Sequence, residues 1–348
     1  MNNISISRPK SLVHKVVMVD GQPGCGKSML SPIIASFKRV ELLSYLFELE
    51  HISRLFKLKK ITKDANIAMI KMLIDNKIYQ TMMGRDTNFR YSDVSSVFNY
   101  ADPKKYFKRI FSKGDQFVPS KIKKEKPILN LSTHDLLISA ESLFEALGNK
   151  LVFVEVIRHP LYMLIQQTLN MKNLIDNPRD IEIYFNKNNF QYPYFAFGWE
   201  NTFRKSNLVE KAIHTIAHHT LQNNKIRKIL LKKYNKNFIC IPFEEFVLRP
   251  DNFLIKLKKI IGTDFSKKTK KILIKQRVPR TKIADSIPLD IYKRCGWKSP
   301  NKFLNEKEEL NIRREYALKN KASKSSIKIL DKLSKDYEKK YLDKISID

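Results

Sequence analysis

The sequence predicts an α/β protein with a doubly wound parallel sheet flanked by helices. Three observations lead there. A glycine-rich turn, "GQPGCGKS", joins a short apolar strand to an apolar helix near the N-terminus. Later strands such as "KLVFVEVI" are continuously apolar, as strands covered on both faces of a parallel sheet must be. Between the strands lie segments with apolar residues three and four apart, the helical period.

Taken in order, the first strand is expected over 15–19, with the helix after the turn over 28–37. Residues 41–111 read as mostly helical, from the spacing in "ELLSYLFELEHISRLF" and "NIAMIKMLIDNKIYQTMM". Residues 113–127 form a charged connector. A second strand at 127–132 ends in Thr133-His134-Asp135, and a short helix then stops at Gly148, a natural C-cap. The third strand, 150–157, ends in Arg158-His159-Pro160, and "LYMLIQQTLNMKNLI" follows as helix. One long helix is expected over 208–234, and a fourth strand over 237–243. The expected organisation is one α/β domain over 1–300 with a helical insertion at about 41–111. A basic helical extension over 301–348 completes it.

The chain has 348 residues, 43% of them hydrophobic, enough for a large core. Mean hydropathy is −0.38 and no apolar run reaches the ~18 residues needed to span a bilayer. The first fifteen residues lack a signal-peptide core. Cys25, Cys240 and Cys295 are odd in number and far apart, so neither a disulfide framework nor a metal set follows, and a reduced, cytoplasmic setting is expected. A net charge of +31 suits an anionic partner, although AT-rich coding also crowds a chain with lysine. The basic stretches carry few interleaved aromatics, so nucleic acid is not an expected partner.

Gly21-Gln22-Pro23-Gly24-Cys25-Gly26-Lys27-Ser28 matches G-x-x-x-x-G-K-[ST], the Walker A loop, at every position. Glycines let backbone N–H groups turn inward onto phosphate oxygens, and the helix N-terminus adds partial positive charge. Lys27 supplies a full charge, and Ser28 a hydroxyl for phosphate or Mg²⁺. The fold expectation is therefore P-loop NTPase-like, and on the loop alone the ligand is ATP or GTP.

Other segments point elsewhere. "NLSTHDLL", "LVFVEVIRHPLYML" and "ICIPFEEFVLRPDNFLIKLKKIIG", in this order after the loop, resemble the strand-end segments of PAPS-dependent sulfotransferases of bacterial type. The resemblance covers roughly 15–265. It implies transfer of a sulfuryl group from 3′-phosphoadenosine 5′-phosphosulfate (PAPS) to a hydroxyl on a carbohydrate or small metabolite. It implies His134 as general base and Lys27 as the catalytic charge on the leaving phosphate. Gly21, Gly24, Cys25, Gly26, Lys27, Ser28 and Met29 would hold the phosphosulfate, and Arg158 the 3′-phosphate. Many family members carry a lysine earlier in the loop, where this chain has Gly24. The family's serine eight residues after the arginine is replaced by Gln166, with Thr168 nearby. No glycine-rich C-terminal loop is present, and basic residues of "KQRVPRTK" (275–282) are the substitute for clamping the 3′-phosphate.

The alternative is a P-loop kinase or NTPase using ATP with Mg²⁺, in which Ser28 and either Asp135 or Glu155 hold the metal. A third reading is a nucleotide- or polyanion-binding protein without catalysis. No protein metal site is expected: His214 and His218 stand four apart beside His219, but no third ligand is indicated. Glu244 and Glu245 suit a helix cap or a pair with Arg249. The aromatic run "FQYPYFAFGW" suits core packing, an acceptor pocket or a stack on adenine.

Overall fold

The computed structural model describes residues 4–178, 181–283 and 305–342, so Cys295 lies outside the described residues. Five parallel strands form one sheet: β1 (Lys15–Asp20), β2 (Val40–Ser44), β3 (Ile128–Ser132), β4 (Leu151–Ile157) and, after a hairpin of β5 (Tyr184–Lys187) and β6 (Phe190–Pro193), β7 (Phe238–Pro242). Their spatial order is β2-β3-β1-β4-β7, with β5 and β6 a separate antiparallel pair. The chain runs outward from β1 to one side, returns, and then crosses to β4 on the other. The carboxyl end of β1 is thus the switch point where such sheets bind ligands.

Helices cover both faces. On one face Val17, Val19, Val152 and Val154 pack with Ile33 and Ile34 of α1 (Lys27–Ala35). On the other, Val16, Met18, Leu129 and Leu131 pack with Leu49 of α2 (Phe47–Lys57) and with Ile70, Ile74 and Ile78 of α3 (Lys63–Met83). The strands are predominantly apolar toward both layers, and their polar residues Glu41, Asn130 and Glu155 are buried with them.

Two local expectations change. Val40–Ser44, at the start of the stretch with helical spacing, is strand β2, on the edge beyond β3. Its Glu41 is fully buried, and α4 (Pro103–Ile110) satisfies it: Arg109 donates to both carboxylate oxygens and Lys105 and Tyr106 donate as well. The charged connector contains α5 (Phe117–Glu125), where Val118 and Ile122, four apart, are buried beneath a lysine-rich outer face.

Further along are α6 (Ala140–Leu147), α7 (Pro160–Asp176), α8 (Glu200–Lys205) and the 26-residue α9 (Leu208–Lys233). After β7 come α10 (Phe243–Leu248), α11 (Asp251–Ile261) and α12 (Thr269–Lys275). Two C-terminal helices, Glu306–Lys319 and Lys324–Tyr337, pack on α7 and α9. Their Ala317, Ile327 and Leu330 belong to the same apolar core as the sheet. No described helix is long and apolar enough to cross a membrane.

Candidate active site

The loop after β1 takes the form its glycines permit. Gly21, Gly24 and Gly26 have φ of 149°, 89° and 104°. At Gly26 a Cβ would run into the Phe243 ring, and at Gly21 into the Val156 carbonyl. Gly26 is the N-cap of α1, so the helix opens directly under the loop. Lys27 is buried, and its ammonium donates to the carbonyls of Gly21 and, at 3.3 Å, Gln22. Cys25 is buried, and burial pushes its thiol up to about 11, so it is a packing residue of the loop. Met29 lies in the core, whereas Ser28 is exposed on the first turn.

The register of β1 with β3, Val19 opposite Ser132, brings Thr133, His134 and Asp135 to the same rim as the loop. Asp20 fixes that rim: its carboxylate accepts from Thr133 Oγ1 at 2.8 Å and from the backbone N–H groups of Leu136 and Leu137 at 3.0 and 2.9 Å. Burial pushes its carboxyl up to about 6 against the pull of Lys27. His134 is partly exposed. Its Nδ1 lies 3.1 Å from Glu50 Oε1, and its backbone N–H donates to the same oxygen at 3.2 Å. Tyr45 and Phe47 lie nearly parallel to the imidazole, at interplanar angles of 13° and 5°. Arg54, one turn beyond Glu50 on α2, donates to Glu50 Oε2 at 3.0 Å.

On the other side of β1, β4 delivers Arg158. Its guanidinium donates to the Gly24 carbonyl at 3.0 Å and lies 4.2 Å from the Phe243 ring centre and 4.8 Å from that of Tyr162. The Phe243 ring also carries Arg280, at 5.4 Å, so one residue of "KQRVPRTK" shares an aromatic platform with Arg158. Gln166, two turns into α7, reaches the loop, its Oε1 3.4 Å from where a Gly24 Cβ would stand. Thr168 instead donates back to the Leu164 carbonyl. Arg158, Gln166 and Lys27 therefore meet around the loop, and His134 approaches along the neighbouring strand.

The two acidic residues put forward for a bound Mg²⁺ are committed elsewhere. Glu155 makes a two-pronged pair with Arg227, at 2.5 and 2.6 Å. Asp135 lies 3.1 Å from His219; burial opposes its ionised form, but His219, Lys27 and His134 outweigh this and hold the carboxyl below its usual range. The three clustered histidines diverge: His218 stacks on Trp199, with ring centres 4.7 Å apart, His219 faces Asp135, and His214 lies by Ser326. Glu244 holds the His159 N–H at 3.1 Å and accepts from Tyr337 at 2.6 Å, beside Arg158 rather than Arg249. Of the aromatic run, Tyr192, Ala196 and Trp199 form a small core of their own, while Tyr194 lies 4.3 Å under Arg54.

Three residues around the site carry no sequence signal of their own. Glu50 and Arg54 have only the four-residue spacing of any surface pair. Lys57, whose ammonium is pulled down to about 8 by burial, sits at the last turn of α2 in a run of lysines.

No family model and no curated protein matches the sequence. Among solved structures, the sulfotransferase domain from the Synechococcus PCC 7002 olefin synthase is similar at 11% identity and TM-score 0.40, over 90% of this chain and 98% of that one. The sulfotransferase domain from the curacin biosynthetic pathway is similar at 12% and 0.41, over 89% and 99%. Sulfotransferase STF9 from Mycobacterium avium is similar at 11% and 0.40, over 97% and 78%. Likeness at this level carries no weight for activity.

Proposed function

We propose that the chain is a sulfotransferase-like enzyme that takes a sulfuryl group from PAPS and passes it to an acceptor hydroxyl. The observation that carries the reading is the meeting of Arg158 with the phosphate loop, through the Gly24 carbonyl and the shared Phe243 platform. A triphosphate user needs cation charge at the loop and an acid for the metal. Here the charge gathered beside the loop is that of Arg158 and Arg280, and Glu155 and Asp135 are paired with arginine and histidine. That arrangement suits a nucleotide with phosphate at two separate places.

The residues present fit such a donor. Gly21, Gly24 and Gly26 take the positive φ values that let a loop turn its backbone N–H groups toward an anion, with Cys25 and Met29 buried on the core side. Lys27 and Ser28 would hold the 5′ phosphate, and Arg158, Gln166 and Arg280 would hold the 3′ phosphate. When bound, the donor supplies an activated sulfur and a phosphate leaving group. Sulfuryl transfer has a loose in-line transition state, so holding the partners in line and balancing charge dominate. Lys27 would exchange its loop carbonyls for the developing charge, and His134 would take the acceptor proton at Nε2. The acceptor is a small-molecule or glycan hydroxyl, and the working compartment is the cytoplasm.

Calorimetric titration with adenosine 3′,5′-bisphosphate in the presence of a metal chelator tests the reading, beside ATP with Mg²⁺. Tight, metal-independent binding of the bisphosphate is expected. Binding of Mg·ATP alone would overturn the proposal in favour of a kinase or NTPase.

A further inference from the structure

We infer that Glu50 is the positioning residue that gives His134 its working tautomer, with Arg54 holding Glu50 in turn; this rests on the reading of His134 as the acceptor base. Glu50 is 1% exposed on α2, yet its side chain ends at the rim of the cleft rather than in an apolar layer. A buried carboxylate is costly unless each oxygen is satisfied. Here both are. Oε2 accepts from Arg54 at 3.0 Å, and Oε1 serves His134 twice, through the backbone N–H and the ring.

A carboxylate with Arg54 on one oxygen can only accept on the other, so His134 Nδ1 carries the hydrogen and donates. The neutral imidazole then has its lone pair on Nε2, the form a general base requires. Among the described residues no hydrogen bond reaches Nε2. The same oxygen that selects the tautomer also fixes the histidine backbone. Arg54 is itself anchored by Glu182 at 2.8 Å and by the Tyr194 ring. The chain Arg54–Glu50–His134 therefore links the hairpin region, α2 and the end of β3 into one orienting unit. It performs for a strand-end base what an aspartate performs for the histidine of a hydrolase triad.

Two-bond ¹H–¹⁵N correlation spectra of protein labelled with ¹⁵N-histidine read the tautomer directly, with His134→Asn assigning the signal. Wild-type His134 is expected with hydrogen on Nδ1. In Glu50→Gln that signature is lost toward the Nε2–H form, and Glu50→Asp, which keeps a carboxylate, retains at least part of it. Bisphosphate affinity measured on the same samples stays within about threefold of wild type, because the contacts of the Glu50 carboxylate run to Arg54 and His134. A wild-type His134 with hydrogen on Nε2 would overturn the inference. So would a Glu50→Gln spectrum unchanged from wild type. Loss of bisphosphate binding by the wild-type protein would instead strike the proposed function, leaving the tautomer result to stand by itself.

Discussion

Gly26 shows how tightly single residues define this site. It stands at φ 104° with the Phe243 ring where a Cβ would go, and Phe243 is also the platform for Arg158 and Arg280. One glycine therefore sets both the loop and the distance at which the second basic group approaches. Gly26→Ala is expected to lower stability by about 1–3 kcal/mol, from left-handed backbone strain plus displacement of Phe243. It should weaken bisphosphate binding more than tenfold; thermal unfolding and calorimetry check the two effects. The loop was legible in the sequence because its constraints are local: glycines, a lysine and a helix start within eight residues. His134 and Arg158 were legible only as strand-end residues within the resemblance. Glu50 was not, because its role arises where α2 folds back over the end of β3, and no spacing in the chain records that contact.

At the scale of elements, β2 and α4 form a unit around Glu41. Burial raises the carboxyl, yet Lys105 and Arg109 outweigh this and hold it down at about 2. The folded value lies below the ordinary one of 4.5, so the pair contributes stability above that pH. The contribution fades as pH falls from about 4.5 toward 2, and is of order 3 kcal/mol for so large a shift on a fully buried group. Glu41→Gln is expected to lower stability at neutral pH by about 3–5 kcal/mol, since Arg109 is left buried without its partner. It should also flatten the decline in stability between pH 4.5 and 2; denaturant titrations across that range check both. The same unit explains why β2 does not declare itself in the sequence. "VELLS" fits a helical period as well as a buried strand, and the distant Lys105, Tyr106 and Arg109 of α4 are what make an acidic residue tolerable inside a sheet. In α5, likewise, two buried residues were hidden among lysines.

Across the whole molecule, the parallel sheet and the helices on both faces followed from continuous apolar strands alternating with helical segments, whereas the strand order β2-β3-β1-β4-β7, with β2 on its edge, came only from the structure. Less legible was the attachment of the C-terminal helices. Their surface is dense in lysine and glutamate, but Leu330 is fully buried in the main core, and Tyr337 and Glu338 reach Glu244 and His159 beside Arg158. Leu330→Ala is expected to destabilise the entire fold by about 2–5 kcal/mol in one cooperative transition. Separate melting of the C-terminal helices, with the sheet unaffected, would contradict that expectation. Tyr337→Phe removes the hydroxyl that Glu244 accepts from, at a cost of about 1–3 kcal/mol. Through Glu244 it should also loosen Arg158 and weaken bisphosphate binding, a coupling that titration of the variant measures.

The central claim is that Arg158 reads a phosphate distinct from the one held in the loop. Comparing affinities for adenosine 3′,5′-bisphosphate and adenosine 5′-monophosphate, in wild type and in Arg158→Ala, isolates that phosphate. Wild type is expected to favour the bisphosphate by more than about tenfold, as a charge-assisted contact worth 1.5–3 kcal/mol implies, and Arg158→Ala to lose most of that preference. Equal affinity for the two nucleotides in wild type, or a preference untouched by Arg158→Ala, would contradict the account.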